Sequence, residues 1–127
     1  MVSHAKTRVK LGDRQQEIRE LIARRQYSAA AKLIKKQTAS AHLVRGHLLL
    51  KADHASAALR SFNKVRRAPP GMHDFFLIRK AQALLMTKQY EEAVAVLRSL
   101  KRPDLTGSTA DRMRARALRE SGEMERA

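Results

Sequence analysis

Five histidines, His4, His42, His47, His54 and His73, are the side chains of this 127-residue chain best suited to metal or acid–base chemistry. Their spacing does not serve it. His42 and His47 are five residues apart, so they do not lie one above the other on a helix, and no other pair has metal-ligand spacing. Glu91 and Glu92 are adjacent, and adjacent side chains diverge on a helix. They suit the first turn of one, where the helix dipole favours negative charge. There is no cysteine, hence no disulfide, thiolate nucleophile or thiolate metal site. The five glycines form no loop that could cradle a phosphate. These residues point to a protein that is not an enzyme and holds no cofactor and no metal.

Binding chemistry is better supplied. The formal net charge is +15, heaviest near the start and balanced over residues 104–127. Such a field favours encounter with nucleic acid, acidic protein or an anionic surface. Three basic sets recur at helical spacing: Lys32, Lys35 and Lys36; Arg60, Lys64 and Arg67; Arg98, Lys101 and Arg102. Each set is expected on one helix face, where it could pair with phosphates irrespective of sequence. No aromatic residue interleaves with them, so stacking on unpaired bases is unsupported. No apolar run is long enough to span a bilayer, so membrane insertion is not expected. Residues 1–11 are basic but lack the apolar centre of a secretory signal. The expected location is intracellular, cytoplasmic or nuclear ahead of mitochondrial.

The elements that must carry these residues are helical. Apolar positions recur with helical spacing over about 13–24, 27–37, 40–52, 54–67, 73–87, 90–101 and 108–121, and an eighth helix is expected to begin near Glu123. Residues 1–11 read as a flexible basic arm. Ala68-Pro69-Pro70-Gly71 is the strongest breaker, and Pro103 ends the sixth helix. Aromatic residues make up only 4% of the chain and tryptophan is absent. A single central core would therefore be thin for this length. Alanine and leucine on helix faces suit a seam between stacked helices instead.

One junction repeats. Lys88-Gln89-Tyr90-Glu91-Glu92-Ala93 is a polar turn, an aromatic, two acids and a small residue. Arg25-Gln26-Tyr27-Ser28-Ala29-Ala30 matches it, Asp53-His54-Ala55-Ser56-Ala57-Ala58 is a weaker copy, and Gly122 to Ala127 closes the chain with another. Ala30, Ala58, Ala93 and Ala127 are separated by 28, 35 and 34 residues, against a tetratricopeptide period of about 34. Gly46, Ala81 and Ala115 stand twelve positions before the last three alanines. Leu49, Leu84 and Leu118 stand nine before, Ile34, Phe62 and Leu97 four after, and Pro70 falls where a closing proline is common. From about Asp13 onward the chain resembles the tetratricopeptide repeat family. It departs from the family pattern at Glu17, Arg45, Lys80 and Arg114, where leucine is usual.

The resemblance implies an all-α fold of antiparallel helix pairs stacked as a right-handed superhelix. Its units would be about 13–37, 40–70, 73–103 and 108–127, the last incomplete, as in a segment of a longer protein. It implies a concave groove lined by the first helix of each unit: Gln15, Arg19 and Ile22; Leu43, Val44, His47 and Leu50; Phe75, Ile78, Arg79, Gln82, Leu85 and Met86; Arg112, Met113 and Arg116. Such a groove takes a protein partner with an acidic or amphipathic segment. The lysine and asparagine set with which co-chaperone repeats hold a terminal carboxylate is missing, and only Arg79 matches it. Element order is similar to that of the N-terminal repeats of the tetratricopeptide subunits of the anaphase-promoting complex, which implies a homodimer as one form of partner. The resulting expectation is an interaction scaffold. The alternative is a basic RNA-associated subunit that contacts phosphates through its basic face.

Overall fold

The computed structural model describes residues 10–102 and 107–126. Seven α-helices follow one another, with no strand among the described residues. They are α1 (Lys10–Ala23), α2 (Tyr27–Lys32), α3 (Ala39–Lys51), α4 (Ala55–Phe62), α5 (His73–Met86), α6 (Tyr90–Arg98) and α7 (Gly107–Arg126). Each packs against the next, and α3 also touches α5 as α5 touches α7. No described helix is long and apolar enough to cross a membrane. Almost all of the expected basic arm lies outside the described residues, and its last two positions already belong to α1.

The turns within the pairs α1–α2, α3–α4 and α5–α6 are copies of one another. Arg25, Asp53 and Lys88 adopt positive φ of 61°, 63° and 63°. The next amide donates five residues back: Gln26 to Leu21 at 2.8 Å, His54 to Leu49 at 2.9 Å and Gln89 to Leu84 at 2.8 Å. This is a Schellman ending, which satisfies the carbonyls orphaned at a helix terminus. Glycine usually takes the left-handed position. Here an arginine, an aspartate and a lysine do, against a steric penalty of roughly 1–2 kcal/mol. Gln26, His54 and Gln89 then open the next helix with nearly identical backbone angles and no side-chain cap.

The tight turn presses paired helices together, and small residues make room. Ala30, Ala58, Ala81 and Ala93 are fully buried. At Gly46 a Cβ atom would lie 2.5 Å from the Phe62 ring. That ring is itself fully buried and meets Phe76 edge-on. Among the described residues the apolar interior is divided among four clusters. The largest joins Leu43, Leu50, Ala58, Phe62, Val65 and Phe76. Others gather around Ala30 with Leu48, around Leu84 with Ala93 and Ala117, and around Ala81 with Leu97 and Ala110.

Three expected boundaries are corrected together. α2, α4 and α6 stop at Lys32, Phe62 and Arg98, not near 37, 67 and 101. At each exit the chain tightens into bonds between residues three apart. Ile34 donates to Ala31, Val65 to Phe62 and Leu100 to Leu97. The tightening turns one apolar residue back onto the interior: Ile34, Val65 and Leu100 all pack against a cluster. Further on, Pro69-Pro70-Gly71 makes a turn in which the Met72 amide reaches the Pro69 carbonyl at 2.9 Å and Gly71 takes φ 78°. Proline followed by a residue of positive φ is the pattern of a type II turn. Thr38 caps α3, its hydroxyl accepting from the Ala41 amide at 3.1 Å.

The last unit is corrected too. α7 runs unbroken through Gly122 to Arg126, so no turn separates a seventh helix from an eighth. A lone glycine costs a helix interior only about 1 kcal/mol and does not end it. The inward positions are Ala110, Met113 and Ala117, whereas Ala115 is exposed and Leu118 is 52% exposed. The repeat register extrapolated from Ala127 therefore does not hold in α7.

Two outcomes follow for stability. Gly46→Ala should destabilise the fold by about 1–3 kcal/mol through overpacking against Phe62, even though alanine favours a helix by about 1 kcal/mol. In denaturant melts, combination with Phe62→Leu should cost less than the two single changes added together. Lys88→Gly should instead raise stability by roughly 0.5–1 kcal/mol by relieving the left-handed backbone.

Candidate functional site

The odd-numbered helices bring most of the expected groove residues to one surface. On α3, Val44 is exposed and His47 half-buried. The His47 ring lies 5.5 Å from that of Phe75 on α5. The Arg79 guanidinium stands 5.4 Å from the Phe75 ring, within cation–π range, and donates to the Gln82 side chain at 2.9 Å. Beyond Arg79 the surface opens into a hollow of about 360 Å³ between α5 and α7. Ile78, Leu85, Met86 and Met113 supply its apolar wall; Arg79, Gln82, Arg112 and Arg116 supply its polar one, with Thr109 at one end. Arg116 also pairs with Glu120 one turn along α7, at 3.1 Å.

Five expected groove residues fall elsewhere. Leu43 and Leu50 are buried in the largest cluster, because α3 turns them toward α4 and Phe62. Arg19 is exposed on α1, and no hydrogen bond, ion pair or ring contact joins it to the others. Gln15 lines a separate hollow with Ile18, Leu33 and Ile34, while Ile22 is exposed on α1.

The basic residues are all exposed, but the expected helical stripe is not formed. Only Lys32, Arg60 and Arg98 lie on helices. Lys35, Lys36, Lys64, Arg67, Lys101 and Arg102 follow the early ends of α2, α4 and α6. The exits carry six of the nine charges.

Two polar devices fasten the exits of α2 and α6. Arg45 on α3 donates to the Ile34 carbonyl at 2.7 Å and to the Lys36 carbonyl at 2.7 Å, and also to Nδ1 of His42 at 2.9 Å. Asp74 on α5 accepts the amides of Lys101 at 2.9 Å and Arg102 at 2.7 Å. It also meets His73 Nδ1 at 2.9 Å. Burial pulls the Asp74 carboxyl upward, but the Lys101 amide, His73 and the Arg102 amide together hold it below the usual carboxylate range. Sequence reasoning missed both. The signal for the first was available, since Arg45 stands where a repeat helix usually has leucine.

His42 is 5% exposed. Burial first, then the charges of Arg45 and Lys64, lower its pKa from the ordinary 6.5, against a weaker opposing backbone hydrogen bond at Gln37. His47 is lowered as well, by burial and then by Arg79 and Lys51. Nδ1 of His47 and Nε of Arg79 are buried with no hydrogen-bond partner, as is Nε of Arg114. Among the described residues, no group of three or more histidine, aspartate or glutamate side chains could hold a metal ion.

Comparison with known proteins returns no matching family model, no matching curated protein and no matching solved structure.

A lowered histidine pKa means that the folded state prefers the neutral ring. The stability this contributes is present above pH 6.5, the ordinary value, and is lost as pH falls through the lower folded value. In urea melts across that window, His42→Asn should show a shallower loss of stability than the unaltered chain. Asparagine keeps an acceptor for Arg45 and does not titrate. An unchanged slope would contradict the assignment.

Proposed function

We propose that this protein is a non-enzymatic interaction scaffold of tetratricopeptide-like repeats, working inside the cell. Its first helices would form the concave face that receives an acidic amphipathic helix from a protein partner. The single observation that carries the reading is the hollow between α5 and α7, an apolar wall of Ile78, Met86 and Met113 beside Arg79, Arg112 and Arg116. Apolar residues along one edge of an incoming helix would fill the wall, and carboxylates on its flank would meet the arginines. Charge complementarity of this kind guides orientation and encounter rate more than raw affinity.

The three matching turns and the buried small residues support the repeat reading. In it, α1–α2, α3–α4 and α5–α6 are units, and α7 takes the first-helix place of a fourth. The contacts of α3 with α5 and of α5 with α7 fit first helices lying side by side.

Ile78 is the residue to test, because it faces the hollow and belongs to none of the buried clusters. Phe75 packs against the largest cluster, so its removal would disturb the fold. With a designed peptide bearing leucine and glutamate on adjoining helix faces, Ile78→Ala should weaken binding by roughly 1–3 kcal/mol. Arg116→Ala should act mainly on the association rate and its salt dependence. Fluorescence anisotropy of the labelled peptide reads both. Affinity indifferent to Ile78→Ala would sink the groove mechanism. Light scattering on the free protein tests the homodimer form, in which a second copy covers the same face.

A further inference from the structure

The basic residues form an edge as well as a net charge. Three observations place the exits of the even-numbered helices beside the odd-numbered ones at or before their midpoints. Arg45, near the middle of α3, holds the carbonyls of Ile34 and Lys36 beyond α2. Val65, beyond α4, packs in one cluster with Leu43 in the first half of α3 and Phe76 in the first turn of α5. Asp74, in the first turn of α5, binds the amides of Lys101 and Arg102 beyond α6. The three exits therefore lie along one side of the molecule, opposite the three left-handed turns.

Each exit is cationic. The first carries Lys32, Lys35 and Lys36, the second Lys64, Arg66 and Arg67, and the third Arg98 with Lys101, all exposed. None of these eight takes part in an ion pair among the described residues. Of the described acids in the first half of an odd-numbered helix, Asp74 is occupied by backbone amides, and Asp13 and Asp111 belong to α1 and α7, the first and last helices described. The opposite side mixes signs: Arg25, Asp53 and Lys88 occupy its turns, with Glu91 and Glu92 beside the last. Aromatic side chains are absent from the exits. Phe62, which precedes the second, is fully buried.

We infer that this edge binds the sugar–phosphate backbone of a nucleic-acid duplex, each exit meeting phosphates along it. Repeated point charges, two of the three sets on fastened backbone, suit an array of anions, and phosphate neutralisation releases condensed counterions. The lack of a stacking platform disfavours single strands, whose sequence-tolerant binding relies on aromatic side chains. Nothing on the edge is built to read base edges, so the contact is indifferent to sequence. The inference does not depend on the concave-face reading, since the two surfaces share no residue.

The test is fluorescence anisotropy of the full chain with a 20-base-pair RNA duplex, a DNA duplex of the same sequence, the corresponding single strands and phosphatidylserine vesicles, over a salt series. The edge variant combines Lys35→Glu, Arg66→Glu and Lys101→Glu, one from each exit. The control combines Arg24→Glu, Arg25→Glu and Lys88→Glu, with the same change of net charge on the other side. The edge variant should lose at least about tenfold in duplex affinity, and its salt slope should shrink by about 2–3, near 0.9 for each phosphate contact removed. The control should change less than about threefold. The tighter of the two duplexes identifies the source. Equal losses in both variants, tighter binding of single strands, or edge-dependent binding of vesicles in preference to duplex would each overturn the inference. If the reversed charges unfold the chain by circular dichroism, glutamine at the same three positions gives a milder variant that must still show the edge-specific loss.

Discussion

The closeness of paired helix backbones is the constraint on which the rest of this structure depends. With few aromatic residues and no tryptophan, the chain has little bulk with which to fill wide gaps. It brings its helices together instead. Fully buried alanines stand at the contacts, and at Gly46 the ring of Phe62 occupies the space a side chain would need. Dispersion contacts are individually small and fall away quickly with separation, so close approach is where they add up. Turns short enough to permit that approach then impose left-handed backbone on Arg25, Asp53 and Lys88. The strain at the turns follows from the packing between the helices they connect.

Much of this was legible in the residues. The small-residue positions at Ala30, Ala58 and Ala93 located the helix contacts, and the turns preceding them were found where the junction repeats. Breakers such as Pro69-Pro70-Gly71 behaved locally, so they read correctly. Helix ends did not. Periodicity continues through Ile34, Val65 and Leu100 because each does face the interior, but it reaches there by a tightened turn. A pattern of apolar positions cannot distinguish the two routes. The last unit failed for a different reason. Its alignment rested on Ala127, and a single glycine at 122 proved too weak to end a helix.

The candidate surfaces were legible to unequal degrees. Residues of α5 in the hollow follow from helical spacing, and α7 contributes Arg112, Met113 and Arg116 opposite them. Leu43 did not follow, since it and Val44 are neighbours in sequence but lie on different faces, and only the position of Phe62 decides which is buried. The basic residues are exposed, but only Lys32, Arg60 and Arg98 of the nine lie on the helices expected to carry them. Their placement depends on Arg45 and Asp74, long-range contacts that no local pattern announces. Those two residues do more than join chain segments. By occupying backbone carbonyls in one exit and amides in another, they give exposed lysines and arginines an ordered backbone to project from.

The division of the interior into four clusters has a kinetic meaning. Every cluster is assembled from helices close in sequence, so the chain forms its contacts by closing short loops, at little entropic cost. Folding of this kind is fast, and it can begin in one helix pair and spread to its neighbours. By the same reasoning, opening is graded. The pair α3–α4, holding the largest cluster and flanked on both sides, should keep its amides from exchanging with solvent the longest. The pair α1–α2 rests on Ala30, Ala31 and Leu48 and, among the described helices, has a neighbour on one side only. It would exchange through local excursions that leave α3 to α6 intact, and the first basic exit would loosen with it.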